Sequence, residues 1–274
     1  RRQLSMLSES PRVRRRLTGN LTLYVRFDGS DSNDGLANTA GRAFATIQKA
    51  IDTACVTYDG GPYSVTVQVQ DGTWTIPATL VLRPHQWGNG FVLQGNTTTP
   101  SNCTLNFTTQ GMWGLLTQMP SDYLRYIRGF KLQRSGGATD IYPIVCRLGA
   151  HLFLSEMDFG AIGAGSHMIA SEWSELAVNS AYTVSGGAAY HITADINSWA
   201  ATGGYAITFT GTPNIARWAA AQRNSGVLHR GGGSLSGLVS ITTEKYLCQI
   251  NAYVEGIANM PGAGGTLAWG GQAL

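Results

Sequence analysis

From Gly61 almost to its end the sequence is a succession of short alternating runs: YSVTVQVQDG, TLVLRP, FVLQGN, CTLNFTT, LRYIRGFKLQRSGG, YPIVCRLGAHLFLSEMDFG, ELAVNSAYTVSGG, AYHITADINS, YAITFTGTP and KYLCQINAYVEG. Each run is only long enough for a strand, and each is closed by Gly, Asn, Pro or another turn-former. The chain therefore reads as all-β, with sandwich, propeller and solenoid as the architectures to separate. Composition points the same way: 35 glycines and only 13% charged residues favour turns and strands over solvated helices.

Spacing favours the solenoid. LFLSEMDF and LAVNSAYTV share an aliphatic pair, a polar break and a second apolar pair, with Leu152 to Leu176 and Leu154 to Val178 both 24 residues apart. A related form, HITADI, follows after a step of only 14 from Val178 to Ile192, so the register reads as irregular. A repeat of roughly 20–25 residues suits one coil of a β-helix, a unit that buries its inward face only by stacking on its neighbours.

The one helical signal precedes these runs. In AFATIQKAIDTA, Phe44, Ile47, Ile51 and Ala54 lie near one helix face, with a start near Asn38–Thr39 and a stop at TYDGG. Such a helix would cover the unpaired strand edge at the start of a solenoid. Between LYVRF and this helix lies DGSDSNDG. Its Asp and Asn side chains are expected to bond local N–H groups, and Gly29 and Gly35 to supply unusual backbone angles. A calcium loop is the competing reading, with Asp28, Asp31 and Asp34 as ligands. It fits poorly, because position five is Gly35 and position twelve is Arg42 where a bidentate Glu is required.

The series LYVRFDGSDSNDGLANTAGRAFATIQKAID resembles the opening of right-handed parallel β-helix proteins of the pectate-lyase-like group. It most resembles the version found in bacteriophage and prophage tail fibres and tailspikes. Tyr24, Val25, Asp28, Gly29, Ser30, Asp31, Asn33, Gly35, Phe44, Thr46, Ile47, Gln48, Ala50 and Ile51 carry the match. The resemblance implies a right-handed parallel β-helix with an N-terminal capping helix, a homotrimer, a place in the virion tail after assembly in the host cytoplasm, and contact with a host surface polysaccharide. The chain divides accordingly into a leader (1–20), the opening strand, turn and capping helix (21–60), and a β-helix body with its closing segment (61–274).

The net charge of +3 is unevenly placed. Arg1, Arg2, Arg12, Arg14, Arg15 and Arg16 stand against Glu9, and the remainder holds 13 basic against 15 acidic residues. The leader is expected to become ordered only on another chain and to attach the protein to other tail or baseplate proteins. No basic stripe with interleaved aromatics continues into the body, so nucleic acid is not expected as a partner. Nor is a membrane: residues 84–121 lack charge but are rich in Thr, Asn, Gln, Gly and Pro. No secretory apolar core is visible near the beginning. Cys55, Cys103, Cys146 and Cys248 are far apart and form no CxxC pair, which argues against a zinc knuckle or a dense disulfide scaffold.

For chemistry, glycoside hydrolysis needs two carboxylates flanking the bond, to be drawn from Asp140, Glu156, Asp158, Glu172, Glu175, Asp195 and Glu255. Glu156 and Asp158 stand two apart in LSEMDF and would share a face if that run is extended; Glu172, about one coil later, is the third candidate. A lyase site could be assembled from Arg147, His151 and His167. Paired acids on a strand are more often a solvated face. No phosphate loop, Ser-His-Asp arrangement or HExxH accompanies them, and nothing specifies a cofactor or a metal. Binding demands less, since aromatics stack on sugar faces and amides or carboxylates meet hydroxyls. Trp173, Tyr182, Tyr190 and Trp199 are the candidates, with Tyr205 and Trp218 in the same half. An adhesin is therefore preferred to a polysaccharide depolymerase.

Overall fold

The computed structural model describes residues 14–83, 90–109, 111, 113–118, 125–135, 141–230, 233–268 and 271–274. Most of the leader, residues 1–13, and the candidate carboxylate Asp140 lie outside them. Among the described residues the strands form three long sheets, and every pairing within them is parallel. The chain visits the three in rotation, so each circuit is one coil and the protein is a parallel β-helix.

One well-described coil runs His151–Ser155, Asp158–Phe159 and Ser166–Ser171 on the first, second and third sheets. The next runs Glu175–Val178, Tyr182–Val184 and Ala188–Asp195. Their register is the one the 24-residue repeat predicts: Leu152 pairs with Leu176 and Leu154 with Val178. The irregular step of 14 also resolves. Ile192 belongs to the third sheet, where it stacks on Met168, again 24 residues earlier.

Alternation along the strands explains the core. Val65, Val67 and Val69 point inward and are buried, while Thr66 and Gln68 between them are half-buried. Burying one such aliphatic side chain contributes about 1.5–3 kcal/mol. One coil encloses too little apolar surface to offset its chain entropy, so each depends on its neighbours.

A repeated corner joins the third sheet to the first. Two successive residues adopt positive φ there: Glu172 and Trp173, Ile196 and Asn197, Arg223 and Asn224, Ile250 and Asn251, with Leu148 and Gly149 in the same role one coil earlier. These double left-handed turns stack. Trp173 N donates to Ile196 O, Asn197 N to Arg223 O, and Asn224 N to Ile250 O. Serine hydroxyls form a second ladder beside them, with Ala150 N bonded to Ser174 Oγ, Ser174 N to Ser198 Oγ and Ser198 N to Ser225 Oγ at 3.1–3.2 Å. Buried backbone donors that the corner removes from the sheets are thus satisfied.

The capping helix spans Ile47–Thr57 and buries Ile47, Ala50, Ile51, Ala54 and Cys55. It starts later than its apolar pattern suggests. Phe44 is buried as expected but forms a parallel bridge with Val25. The reason is Asp31, whose carboxylate accepts from Ala45 N, Thr46 N and Thr46 Oγ1 and so holds this stretch extended. Thr46, not Asn38 or Thr39, is the N-cap, its hydroxyl accepting from Lys49 N at 3.3 Å. The stop at TYDGG falls where expected.

The acidic loop turns a corner by self-contained bonding. Asp28 pairs with Arg26 and Asp34 with Arg42, at 2.8 and 2.7 Å. Hydrogen bonds from these guanidinium groups hold both carboxyls below their ordinary range. The three aspartates therefore face separate partners instead of one centre. Gly35 has a φ of 75°, and a Cβ there would meet the Phe44 ring at 2.2 Å.

The leader departs from expectation at its end. Arg15–Arg16 form a short parallel strand with Tyr58–Asp59, and Leu17 N donates to Asp59 O at 2.8 Å. Residues 15–17 are ordered by their own chain, because the helix exit presents an unpaired backbone edge.

Candidate functional site

The three candidate carboxylates do not converge. Glu156 is not extended; its φ of 47° turns the chain from the first sheet to the second, and its N–H donates to Ser180 Oγ at 2.5 Å. Asp158, beyond the turn, is buried on the second sheet near Lys131 Nζ at 3.7 Å. Glu172 sits at the opposite corner, held by Arg147 through Nε and Nη2 at 2.9 and 2.5 Å. The shared face read from LSEMDF fails because the left-handed turn at Glu156 breaks the alternation on which it depended. The lyase set is scattered too. Arg147 is engaged with Glu172, His151 Nδ1 meets Glu175 on the first sheet at 3.0 Å, and His167 is inside the core.

Two of the four aromatic candidates face solvent. Trp199 is 51% exposed on the first sheet, and Trp173 is 71% exposed at the double left-handed corner. Tyr182 is instead buried, its ring stacked on His191 at 5.6 Å, and Trp218 is also fully buried. Tyr190 points outward from the third sheet, half-buried, its hydroxyl accepting from Arg217 Nη1 at 3.3 Å. An aromatic in a short strand suits core and surface equally, so only the register separates them.

The first sheet assembles a groove around Trp199. Two outward columns run across the coils in register. The first is His151, Glu175, Trp199, Gly226 and Tyr253; the second is Tyr126, Phe153, Ala177, Ala201 and Leu228. Four strand spacings of about 4.8 Å make the first column about 19 Å long. Gly226 is needed in it, since a Cβ there would meet the Tyr253 ring at 2.5 Å. With that space open, Tyr253 packs edge-on against Trp199, centroids 5.2 Å apart. Tyr126 and Phe153 stack at 5.6 Å at the other end. On the same face lies a hollow of about 240 Å³, floored by Ala177 and Ala201 and walled by Phe153, Glu175, Asn179 and the exposed Tyr205. Small residues in the floor let flat rings stand proud at its margins, and the carboxylate and amide supply directional hydrogen bonds. Phe153, Asn179 and Tyr253 escaped the sequence reading, and His151 and Glu175 entered it only as candidates for chemistry. Their signal was the 24-to-27-residue recurrence of outward positions, which needs the register to be seen.

Behind these surfaces lies a buried polar chain. His167 Nε2 donates to Gly160 O at 2.9 Å, so its Nδ1 accepts from His191 Nδ1–H at 3.0 Å, and His191 Nε2 accepts from the Tyr182 hydroxyl at 3.1 Å. One coil further on, His229 Nε2 donates to Asn259 O and its Nδ1 accepts from Thr202 Oγ1. Burial lowers the pKa of all three histidines, that of His167 to about 4; for His191 the neighbouring His167 and His229 add to the effect. These imidazoles are structural. Burial likewise pushes the thiols of Cys55, Cys103 and Cys146 up to about 12, leaving no activated nucleophile among them. Among the described residues no cluster of three or more His, Cys, Asp or Glu could hold a metal ion.

No protein family profile and no curated relative matches the chain. Among solved structures it is similar to the pectin methylesterase from Aspergillus niger, at 16% identity over 94% of this chain and 85% of that one, with a TM-score of 0.32. The β-helix assignment stands on the parallel register of this chain's own strands.

Proposed function

We propose that the protein is a non-catalytic, polysaccharide-binding β-helix of the tail-fibre and tailspike kind, acting in host attachment as a virion component. The observation that carries the binding reading is the first-sheet groove, where Phe153, Glu175 and Tyr205 wall an alanine floor and the Trp199–Tyr253 and Tyr126–Phe153 ring pairs stand on the same outer face. A rigid parallel sheet holds such platforms without ordering a loop, so little entropy is lost on binding. The trimer comes with the resemblance of residues 21–54, and attachment to the tail is assigned to the basic leader, residues 1–20. The separation of Glu156 and Asp158 from Glu172 supports binding over cleavage.

The test is binding of the full chain to bacterial capsular and lipopolysaccharide glycans. Wild type is expected to bind at least one of them and to release no reducing ends. Trp199→Ala should weaken binding at least ten-fold while leaving the melting temperature unchanged. Release of reducing ends by the wild type would refute the non-catalytic reading. Unaltered affinity in the variant would remove the groove from it.

A further inference from the structure

A second hollow, of about 240 Å³, lies on the outer face of the third sheet. Its floor is apolar, formed by Val145 and Ile169, and Trp113 stands at its edge with the Arg147 guanidinium 4.6 Å from the ring centroid. Along the corner side run two acid–base pairs from successive coils, Arg147 with Glu172 and Arg223 with Asp195.

The way these pairs are made determines what the hollow can take. Each arginine grips its carboxylate side-on, through Nε and Nη2. A guanidinium has five N–H donors, and a side-on grip engages two of them, so the end-on fork of Nη1 and Nη2 is turned away from the built-in carboxylate. The carboxylates have less capacity left. Both oxygens of Glu172 and both of Asp195 accept from arginine, and Asp195 Oδ1 also accepts from Ile196 N at 2.9 Å. The margin is thus neutral in charge but rich in oriented donors. A ligand with a planar, two-oxygen acceptor fits it, and the neighbouring apolar floor and indole suit a ring.

We propose that this hollow is a binding site for an acidic sugar, a pyranose bearing a carboxylate, separate from the first-sheet groove. The ring lies over Val145 and Ile169 beside Trp113, and the carboxylate takes the end-on fork of Arg147 or Arg223. Glu172 and Asp195 act as positioning residues that fix the guanidinium planes. Because the pairs cancel in charge, specificity comes from fork geometry and not from long-range attraction. This inference uses different residues from the groove and does not rest on it.

The experiment is calorimetric titration of the full chain with a hexuronic acid trisaccharide and with the same trisaccharide after carboxyl reduction. The indole N–H resonances of Trp113 and Trp199 are followed by NMR to report which surface fills. The acidic form is expected to bind at least ten-fold more tightly and to shift Trp113. In Arg147→Gln/Arg223→Gln the preference should fall below two-fold. At least one of Arg147→Lys and Arg223→Lys, which keep the charge but lose the fork, should weaken the acidic sugar, and they carry the test if the double variant does not fold. Equal affinity for the two sugars, no binding of the acidic one, a shift at Trp199 alone, or full affinity in both lysine variants would overturn the proposal.

Discussion

Acid should weaken this fold well before its surface carboxylates are titrated, and the histidine chain sets the size of the effect. In the folded protein His167 stays neutral down to about pH 4, because it is fully buried between Gly160 O and His191. In the unfolded chain an imidazole takes up a proton below about pH 6.5. The unfolded state therefore binds the extra proton between these values, so the contribution of neutral His167 is fully present above pH 6.5 and is lost as pH falls towards 4. At pH 5 the loss is about 1.5 pH units at 1.36 kcal/mol each, or about 2 kcal/mol from His167 alone. His191 and His229 act in the same direction. Asp28, Asp34 and Glu244, whose folded pKa values are depressed, hold their contributions until the pH falls through their ordinary range near 4, so the two windows separate. Urea unfolding at half-unit steps from pH 7.5 to 5 measures this, with tryptophan fluorescence as the signal; Trp218 stacks on His191 at 4.1 Å. The slope should approach one proton from His167, with His191 and His229 adding in the same direction, and His167→Gln, which can keep both hydrogen bonds, should lower it by about one. Equal unfolding free energies at pH 7.5 and 5 would refute the reasoning, as would an unchanged slope in His167→Gln.

Two further substitutions probe the ends of the argument. Ile47→Asp places an unpartnered charge where the helix meets the first coil and should cost about 4 kcal/mol or more, so a variant melting like the wild type would remove the helix from its capping role. Trp173→Asn should stabilise the chain by about 1 kcal/mol, because a bulky residue at a φ of 68° and 71% exposure gives way to one that tolerates the left-handed region; a lower melting temperature would contradict the reading of strain at that corner.

Much of the architecture was legible because it follows from local chemistry. Short alternating runs require strands, the Phe44–Ile51 spacing marks an apolar face that needs covering, and Leu152, Leu154, Leu176 and Val178 carry the 24-residue repeat in their own spacing. The corner ladder left a trace as well, in Ile196-Asn197-Ser198, Arg223-Asn224-Ser225 and Ile250-Asn251-Ala252, recurring every 27 residues. The surfaces were another matter. Alternation tells inside from outside only while the backbone stays extended, and one left-handed residue resets it. Glu156 does so within LSEMDF, and Glu172 with Trp173 does so again just before the strand that opens at Glu175. That is why Glu156 and Asp158 separate, why Tyr182 turns into the core while Trp199 faces water, and why Glu172 meets Arg147 from the coil before it. A solenoid's sequence determines what each coil contains. Which side chains become neighbours across coils is decided only when the coils stack, because those contacts join residues 24 to 28 positions apart through a register that no single coil encodes.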